Sequence, residues 1–418
     1  MVQASPLAPS LAEVKKKASQ DETAAKLAAT KVSKPAIAPS GLSEVRPLSA
    51  ADLPEVAHLF KRTFRPEVNV PLQDIVSYFM EVFVDGPDHD SACPSLVHVS
   101  AGREVSGFIG AIAQPMAFGS RQVRAVHACN LMVADPRRNS MAGARLLRSV
   151  ISKPDFCFSE GANSISRQMW VTIGGHVTPT YSLKWIRPLR PVAAAIAMSA
   201  ERLSLLRLLH PVGALADSML SRTESPLALR LPSPVAGYTA LEVHRQEMVE
   251  VMRQLVAMYQ LRPAWSPGQL ERRLEHAEHM PAFGDLVCVK VINRHGRLVG
   301  GYLYYTGRNR IAIVLQVLAR EKASSGVFLS LLRHAKEKGA VSIWGRIQPG
   351  LLDAALQARC IILNGGFTTV YSKEKEILDA VARGDAVLAG LAGELWSHFV
   401  GGLIGPKPEA RSRSAEDH

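Results

Sequence analysis

The chain has 418 residues, a hydrophobic fraction of 47% and a formal net charge of +12. That length exceeds one ordinary core, so about two or three domains are expected. No apolar run approaches the roughly 18 residues of a membrane span; the densest, Val192–Met198, is short and Ala-rich.

The first residues lack an apolar stretch behind their charges and do not read as a signal peptide. Cys93, Cys129, Cys157, Cys288 and Cys360 are scattered through mostly apolar runs and read as buried, reduced thiols of a cytoplasmic protein. No Cys-x-x-Cys or Cys/His spacing suggests a zinc site, so no metal is expected. The arginines are spread along the chain without a nucleic-acid signature. Nucleic acid is therefore not expected as a partner, and a basic surface suits a polyanionic small molecule equally well.

Residues 1–43 are rich in Ala, Lys, Ser and Pro and read as a disordered tail. A first strand is expected at Glu44–Leu48. Ser49 then caps a helix to Phe64 that carries Asp52 in its first turn, and a second helix covers Leu72–Val84. Strands follow at Leu96–Ser100, Val105–Ala113 and Val123–Val133. Next come a helix at Ser140–Ile151, a strand at Phe156–Ser159, a helix at Ser164–Ile173 and extended residues Tyr181–Ile186. This order predicts an α/β fold with a mixed, mostly antiparallel sheet flanked by helices. Residues 187–232 read as a helical linker, broken at Pro211. Residues 233–400 repeat the plan: two helices, a three-strand meander turning at Arg294–Gly296, a helix, a strand, a helix, and a last strand "FTTVYSK". Residues 401–418 read as a second disordered tail.

The stretch "LMVADPRRNSMAGARLL" (131–147) runs from a strand into a helix. A helix N-terminus offers unpaired N–H groups and the positive end of its dipole. Ser140, Ala142 and Gly143 let an anion approach the backbone, and Arg137, Arg138 and Arg145 add charge-assisted bonds. A pyrophosphate meets those requirements.

Arg138-Asn139-Ser140-Met141-Ala142-Gly143 resembles motif A of the GNAT superfamily of acyl-CoA N-acyltransferases, with Met141 where a glycine is usual. "GANSISRQMW" followed by two glycines resembles that family's segment after the fifth strand, and "GREVSGFIGAI" its second-to-third strand hairpin. The resemblance covers residues 44–186 (Glu44–Ile186) and extends by architecture alone to Tyr238–Lys373. It implies two tandem GNAT-like domains and acyl-CoA, most simply acetyl-CoA, as co-substrate. The acyl-CoA would lie between the strands ending at Val133 and Ser159. Leu131 and Val133 would pair with the pantetheine arm, the amides of Arg138, Asn139, Ser140, Met141, Ala142 and Gly143 would hold the pyrophosphate, and Asn163 would contact the pantetheine.

The resemblance further implies direct attack by a primary amine, from a small-molecule or cell-envelope acceptor. Asn130 stands where the family often has a catalytic Glu, and Trp170 where it often has a Tyr. His127 is the first candidate base because imidazole titrates near neutrality. Asn130 could hold a water and Glu160 is the next candidate. Two rival readings are a non-catalytic binding protein of the same fold and a tandem aminoacyltransferase. The second half, with Ser324, Ser325 and Gly326 at its loop, reads as a domain that shapes the acceptor site or has lost cofactor binding. His276 and His279 read as a solvated helix face, Tyr302, Tyr304 and Tyr305 as strand core, and Asp74, Glu81, Asp85, Asp88 and Asp90 as a mostly solvated acidic face.

Overall fold

Strand β1 (Glu44–Pro47) brings the chain to Ser49, whose N–H and hydroxyl both donate to Asp52 Oδ2, at 2.9 and 2.7 Å. Arg46 grips the same carboxylate through both terminal nitrogens at 2.7 Å. This knot starts helix α1 (Leu53–Phe64), which buries Leu53, Val56, Ala57, Leu59 and Phe60. The structure is a computed structural model that describes residues 43–64, 70–200, 230–307 and 309–401. Both expected tails, apart from Ser43 and Gly401, and most of the expected linker lie outside the described residues.

The first half continues with α2 (Leu72–Phe83), β2 (Leu96–Val99), β3 (Val105–Ala113), the short β4 (Met116–Phe118) and β5 (Arg121–Val123), and β6 (Ala125–Val133). Then come α3 (Ala142–Ile151), β7 (Phe156–Ala162), α4 (Ser164–Thr172), β8 (His176–Val177), β9 (Leu183–Pro188) and α5 (Pro191–Ala200). The second half runs β10 (Tyr238–Glu242), α6 (Arg245–Val256), β11 (Leu261–Pro263), α7 (Gln269–Glu278), β12 (Leu286–Asn293), β13 (Leu298–Tyr305), β14 (Ile311–Ala319) and α8 (Ser324–Glu337). It ends with β15 (Ser342–Arg346), α9 (Leu352–Gln357), β16 (Ile361–Asn364), β17 (Phe367–Ser372), α10 (Lys375–Ala382) and α11 (His398–Gly401). The expected meanders and helices are present. The strand expected from Val123 is interrupted: Val123 belongs to the β4–β5 hairpin, and β6 starts at Ala125.

Two seven-stranded mixed sheets result, in the orders β1-β2-β3-β6-β7-β17-β8 and β10-β12-β13-β14-β15-β9-β16. The last expected strand of each half thus sits in the sheet of the other. β9 lies between β15 and β16, with Ile186 opposite both Trp344 and Ile361. β17 lies between β7 and β8, with Val370 opposite both Phe158 and His176. A boundary at residue 186 therefore falls inside β9 and does not separate the sheets. Alternating apolar residues specify a strand and its buried face, but not the edge it pairs with. A third sheet, β11-β4-β5, joins the halves again, with Leu261 opposite Phe118.

Helices α1 and α2 share one apolar core with α6, α7 and residues 387–399. Among the described residues no helix is long and apolar enough to cross a membrane. Cys93, Cys129, Cys157 and Cys288 are buried free thiols, whereas Cys360 is half-buried.

Burial alone would raise the Asp52 carboxyl, but the bonds from Arg46 and Ser49 outweigh it and hold its pKa at about 2. The ionised form therefore adds stability that is complete above the unfolded value near 3.8 and is lost as the pH falls through about 2. Asp52→Asn should cost about 1–2 kcal/mol near neutral pH, the usual size of a lost cap. In thermal unfolding the gap from the parent protein should close as the pH is lowered through that window.

Candidate active-site cleft

Strands β6 and β7 run parallel for only three residue pairs, from Ala125–Phe156 to His127–Phe158, and then part. Two residues beyond that point β6 is irregular against β3. Cys129 is opposite Gly110 and Met132 opposite Phe108, with a register shift between. Asn130 takes the extra position at φ 51°, in the left-handed region that Asn tolerates better than most residues. Gly110 permits the close packing behind it, because a Cβ there would come within 2.9 Å of Cys129 Sγ and 2.7 Å of the Phe83 ring.

Between the parted strands lies a cleft of about 320 Å³. Asn130 and Leu131 line it from β6, Glu160 from β7, and Asn163 from the start of α4. Ile109, Leu147 and the buried Trp170 form an apolar wall, and Cys129 and Glu394 are also among the lining residues. The Asn130 Nδ2 is shielded and has no hydrogen-bond partner. Asn163 caps α4, accepting the Ser166 N–H at 2.8 Å. Burial pushes the Glu160 carboxyl upward, while Arg346 of β15, with Nε 2.9 Å from Oε1, pulls it back down. Glu160 Oε2 also accepts the Glu394 N–H at 3.3 Å. Gly393 makes that approach feasible, since a Cβ there would sit 1.9 Å from Glu160 Oε2.

The expected anion loop lies at the start of α3, outside the walls of the cleft. No side chain caps that helix. Asn139 Nδ2 donates to the Ala134 carbonyl at 2.7 Å, and the N–H groups of Arg138 and Asn139 return to the Asp135 carbonyl at 3.0 Å. Arg138 is exposed, with Nε 3.2 Å from Asp135 Oδ2, and Ser140 and Met141 are exposed beside it. Ala142 and Gly143 are buried, Gly143 because a Cβ would stand 3.2 Å from Met169 Sδ. Arg145 turns away to Ser43, at 2.8 Å to its hydroxyl and 2.9 Å to its carbonyl. Val133 pairs with Gly107 on its β3 side.

His127 is buried against Phe158, ring centroids 5.0 Å apart, and does not line the cleft. Burial, aided by Arg273, lowers its pKa to about 3, below the near-neutral value of a free imidazole. Neither ring nitrogen has a hydrogen-bond partner. Sequence reasoning passed over Cys129 and Glu394. The signal for the first was His-x-Cys on a strand, which puts both side chains on one face. For the second it was one carboxylate inside the apolar run "VLAGLAGELW".

The second half repeats the parting. β14 and β15 are parallel over three pairs, from Ile311–Ser342 to Ile313–Trp344. Here the gap is only about 20 Å³, with Ala389, Gly390 and Leu395 in its wall. The Leu391 N–H donates to Gln316 Oε1 at 3.1 Å. Gly390, at φ +68°, leaves no room for a side chain, which would come within 2.4 Å of the Leu315 carbonyl. At the start of α8, Gly326 is pressed against the Tyr238 ring and Ser325 bonds Gln357. Tyr302, Tyr304 and Tyr305 are fully buried, as a strand core requires.

Two expected solvated faces are partly enclosed. His276 packs near Tyr78, Trp396 and His398 and bonds Glu81 at 3.1 Å. Asp88 is buried beside Gln269 and Arg273. Both changes have one cause: α7 packs against the first half, so a face that would be wet on an isolated helix is covered.

No family model matches the sequence, and no curated protein does. Solved structures do. A GCN5-related N-acetyltransferase from Anabaena variabilis superposes with a TM-score of 0.52 at 10% identity, over 80% of this chain and 74% of that one. An Enterococcus faecalis protein of unknown function, described as a probable N-acyltransferase, gives 0.51 at 10% identity, over 80% and 73%. The chain has the fold of the GCN5-related N-acetyltransferase (GNAT) superfamily, built as two seven-stranded sheets that exchange one strand each.

Proposed function

We propose that the cleft of the first half binds acyl-CoA and transfers its acyl group to a primary amine. The observation that carries this reading is the open parting of β6 and β7 beside a helix N-terminus that no side chain caps. Past His127, the edge of β6 that faces β7 has no strand partner, so its peptide groups are available to the amide-bearing pantetheine arm, with Leu131 and Val133 on that segment. Asn163 stands across the gap. The amides of Ser140, Met141 and Gly143 and the side chain of Arg138 would hold the pyrophosphate; the Ala142 N–H is already bonded to the Asn139 carbonyl at 3.0 Å. A short acyl group such as acetyl suits a wall closed by Ile109, Leu147 and Trp170.

In the reaction the amine nitrogen attacks the thioester carbon, the C–S bond breaks, and CoA leaves as the thiol. Asn130 Nδ2 is a donor without a partner in the cleft and would bond the acyl oxygen as negative charge gathers there. Glu160 is the candidate base. It lines the cleft, and burial raises its pKa toward the range useful for proton transfer.

Titration calorimetry with CoA tests the binding step. Arg138→Glu should weaken CoA by roughly tenfold, the size of one lost charge-assisted bond. Failure of the parent protein to bind CoA would overturn the reading. CoA binding without turnover on any amine would favour the non-catalytic alternative, and turnover with charged tRNA in place of acyl-CoA the aminoacyl one.

Glu160→Gln should lower turnover by about 10²–10⁴ with CoA affinity retained. Because it also breaks a buried ion pair, which can cost about 3–5 kcal/mol, Arg346→Met is the matched control. Equal losses of turnover in both variants would show that Glu160 serves the ion pair and not the chemistry.

A further inference from the structure

Beside the cleft, three side chains of different chemistry converge without a purpose in the reaction just described. On β6, alternation turns His127 and Cys129 to the same side of the sheet. Glu394 arrives from the C-terminal segment. One ligating atom of each, an imidazole nitrogen, the thiol sulfur and a carboxylate oxygen, lies within 4.8 Å of the other two. A closed tetrahedral zinc shell brings such atoms to about 3.3–3.7 Å, so small side-chain movements would close it.

We propose that His127, Cys129 and Glu394 form a binding site for a divalent transition metal, zinc by the chemistry of its ligands. His127 is 1% exposed, and neither of its ring nitrogens has a hydrogen-bond partner. Buried polar groups that satisfy no partner are rare and costly, and an ion aimed at by that ring removes the cost. Hard cations such as calcium and magnesium take oxygen ligands, whereas one nitrogen, one sulfur and one oxygen suit zinc. The ion's two positive charges would match a Cys129 thiolate and the Glu394 carboxylate. Three protein ligands leave a fourth position, the pattern of zinc sites that exchange a ligand. Cys129 and Glu394 both line the cleft, so that position faces it. The site does not depend on acyl transfer and stands or falls separately from it.

The full chain, purified without chelators, should carry about one zinc ion per molecule by elemental mass spectrometry. After removal of the metal, cobalt(II) should give the visible bands of a tetrahedral ion and a thiolate-to-cobalt charge-transfer band. Cys129→Ser should abolish the charge-transfer band, and Cys157→Ser, which alters another fully buried thiol, should leave it unchanged. His127→Ala and Glu394→Gln should each weaken cobalt affinity by at least tenfold. The proposal is overturned if the folded parent chain holds no stoichiometric metal and gives no charge-transfer band, or if the band survives Cys129→Ser. The parent measurement decides the matter even if a variant fails to fold.

Discussion

Two parallel strands that stay together for three residue pairs and then separate are the constraint on which the rest depends. Separation exposes peptide groups in the middle of a sheet, which is unfavourable unless something else fixes both strands. β6 is fixed by its long antiparallel pairing with β3 and bends at the Asn130 bulge. β7 is fixed from its other side by β17, which follows it from Phe156 to Ala162. The strand exchange is therefore what lets β7 leave β6 without fraying. A cleft of this kind needs a firm outer neighbour, and here the second half supplies it.

The segment after α10 explains why one cleft is open and the other is not. It pairs with β11 at Leu261, fills the parting of the second sheet, and then reaches the wall of the first. Its two glycines are placed by contact: Gly390 where Leu315 and Gln316 press on it, Gly393 where Glu160 does. The buried Arg273 guanidinium holds the segment, donating to the Leu391 carbonyl at 2.7 Å and lying 4.9 Å from the Trp396 ring centre. Trp396 and Phe399, each buried, contribute on the order of 1.5–3 kcal/mol of apolar burial. Irregular backbone is tolerated inside the protein here because its peptide groups find partners, as Leu391 does with Gln316.

Most of the fold was legible because its elements are locally determined. The apolar run "VSGFIGAIA", the Ser49–Asp52 start of α1 and the glycine turn near Arg294 need only neighbouring residues to be recognised. The partners of β9 and β17 were not legible, because "LKWIRP" and "FTTVYS" fit any apolar-faced edge equally well. That Asn130, Leu131, Glu160 and Asn163 lie together was also legible, since strand ends and helix starts mark the cleft they line. His127 was misjudged because exposure is a property of packing: its depth follows from Phe158 beside it and Arg273 reaching over from α7. Glu394 escaped notice for a related reason. It owes its place to a segment with no periodicity, whose route is set by the gap it fills.

The exchange of strands also orders events in time. During synthesis the first sheet is complete up to β7 when residue 162 emerges, but the strand that covers its edge ends at Ser372. At about 5–20 residues per second, the intervening roughly 200 residues take on the order of 10–40 s. β9, meanwhile, is finished before any strand of its own sheet exists. For that interval the nascent chain carries an open edge at β7 and an unclaimed strand at β9, and an open edge invites pairing with other chains. The native connection is secured only when the second half supplies β15 and β16 to flank β9 and then β17 to cover β7.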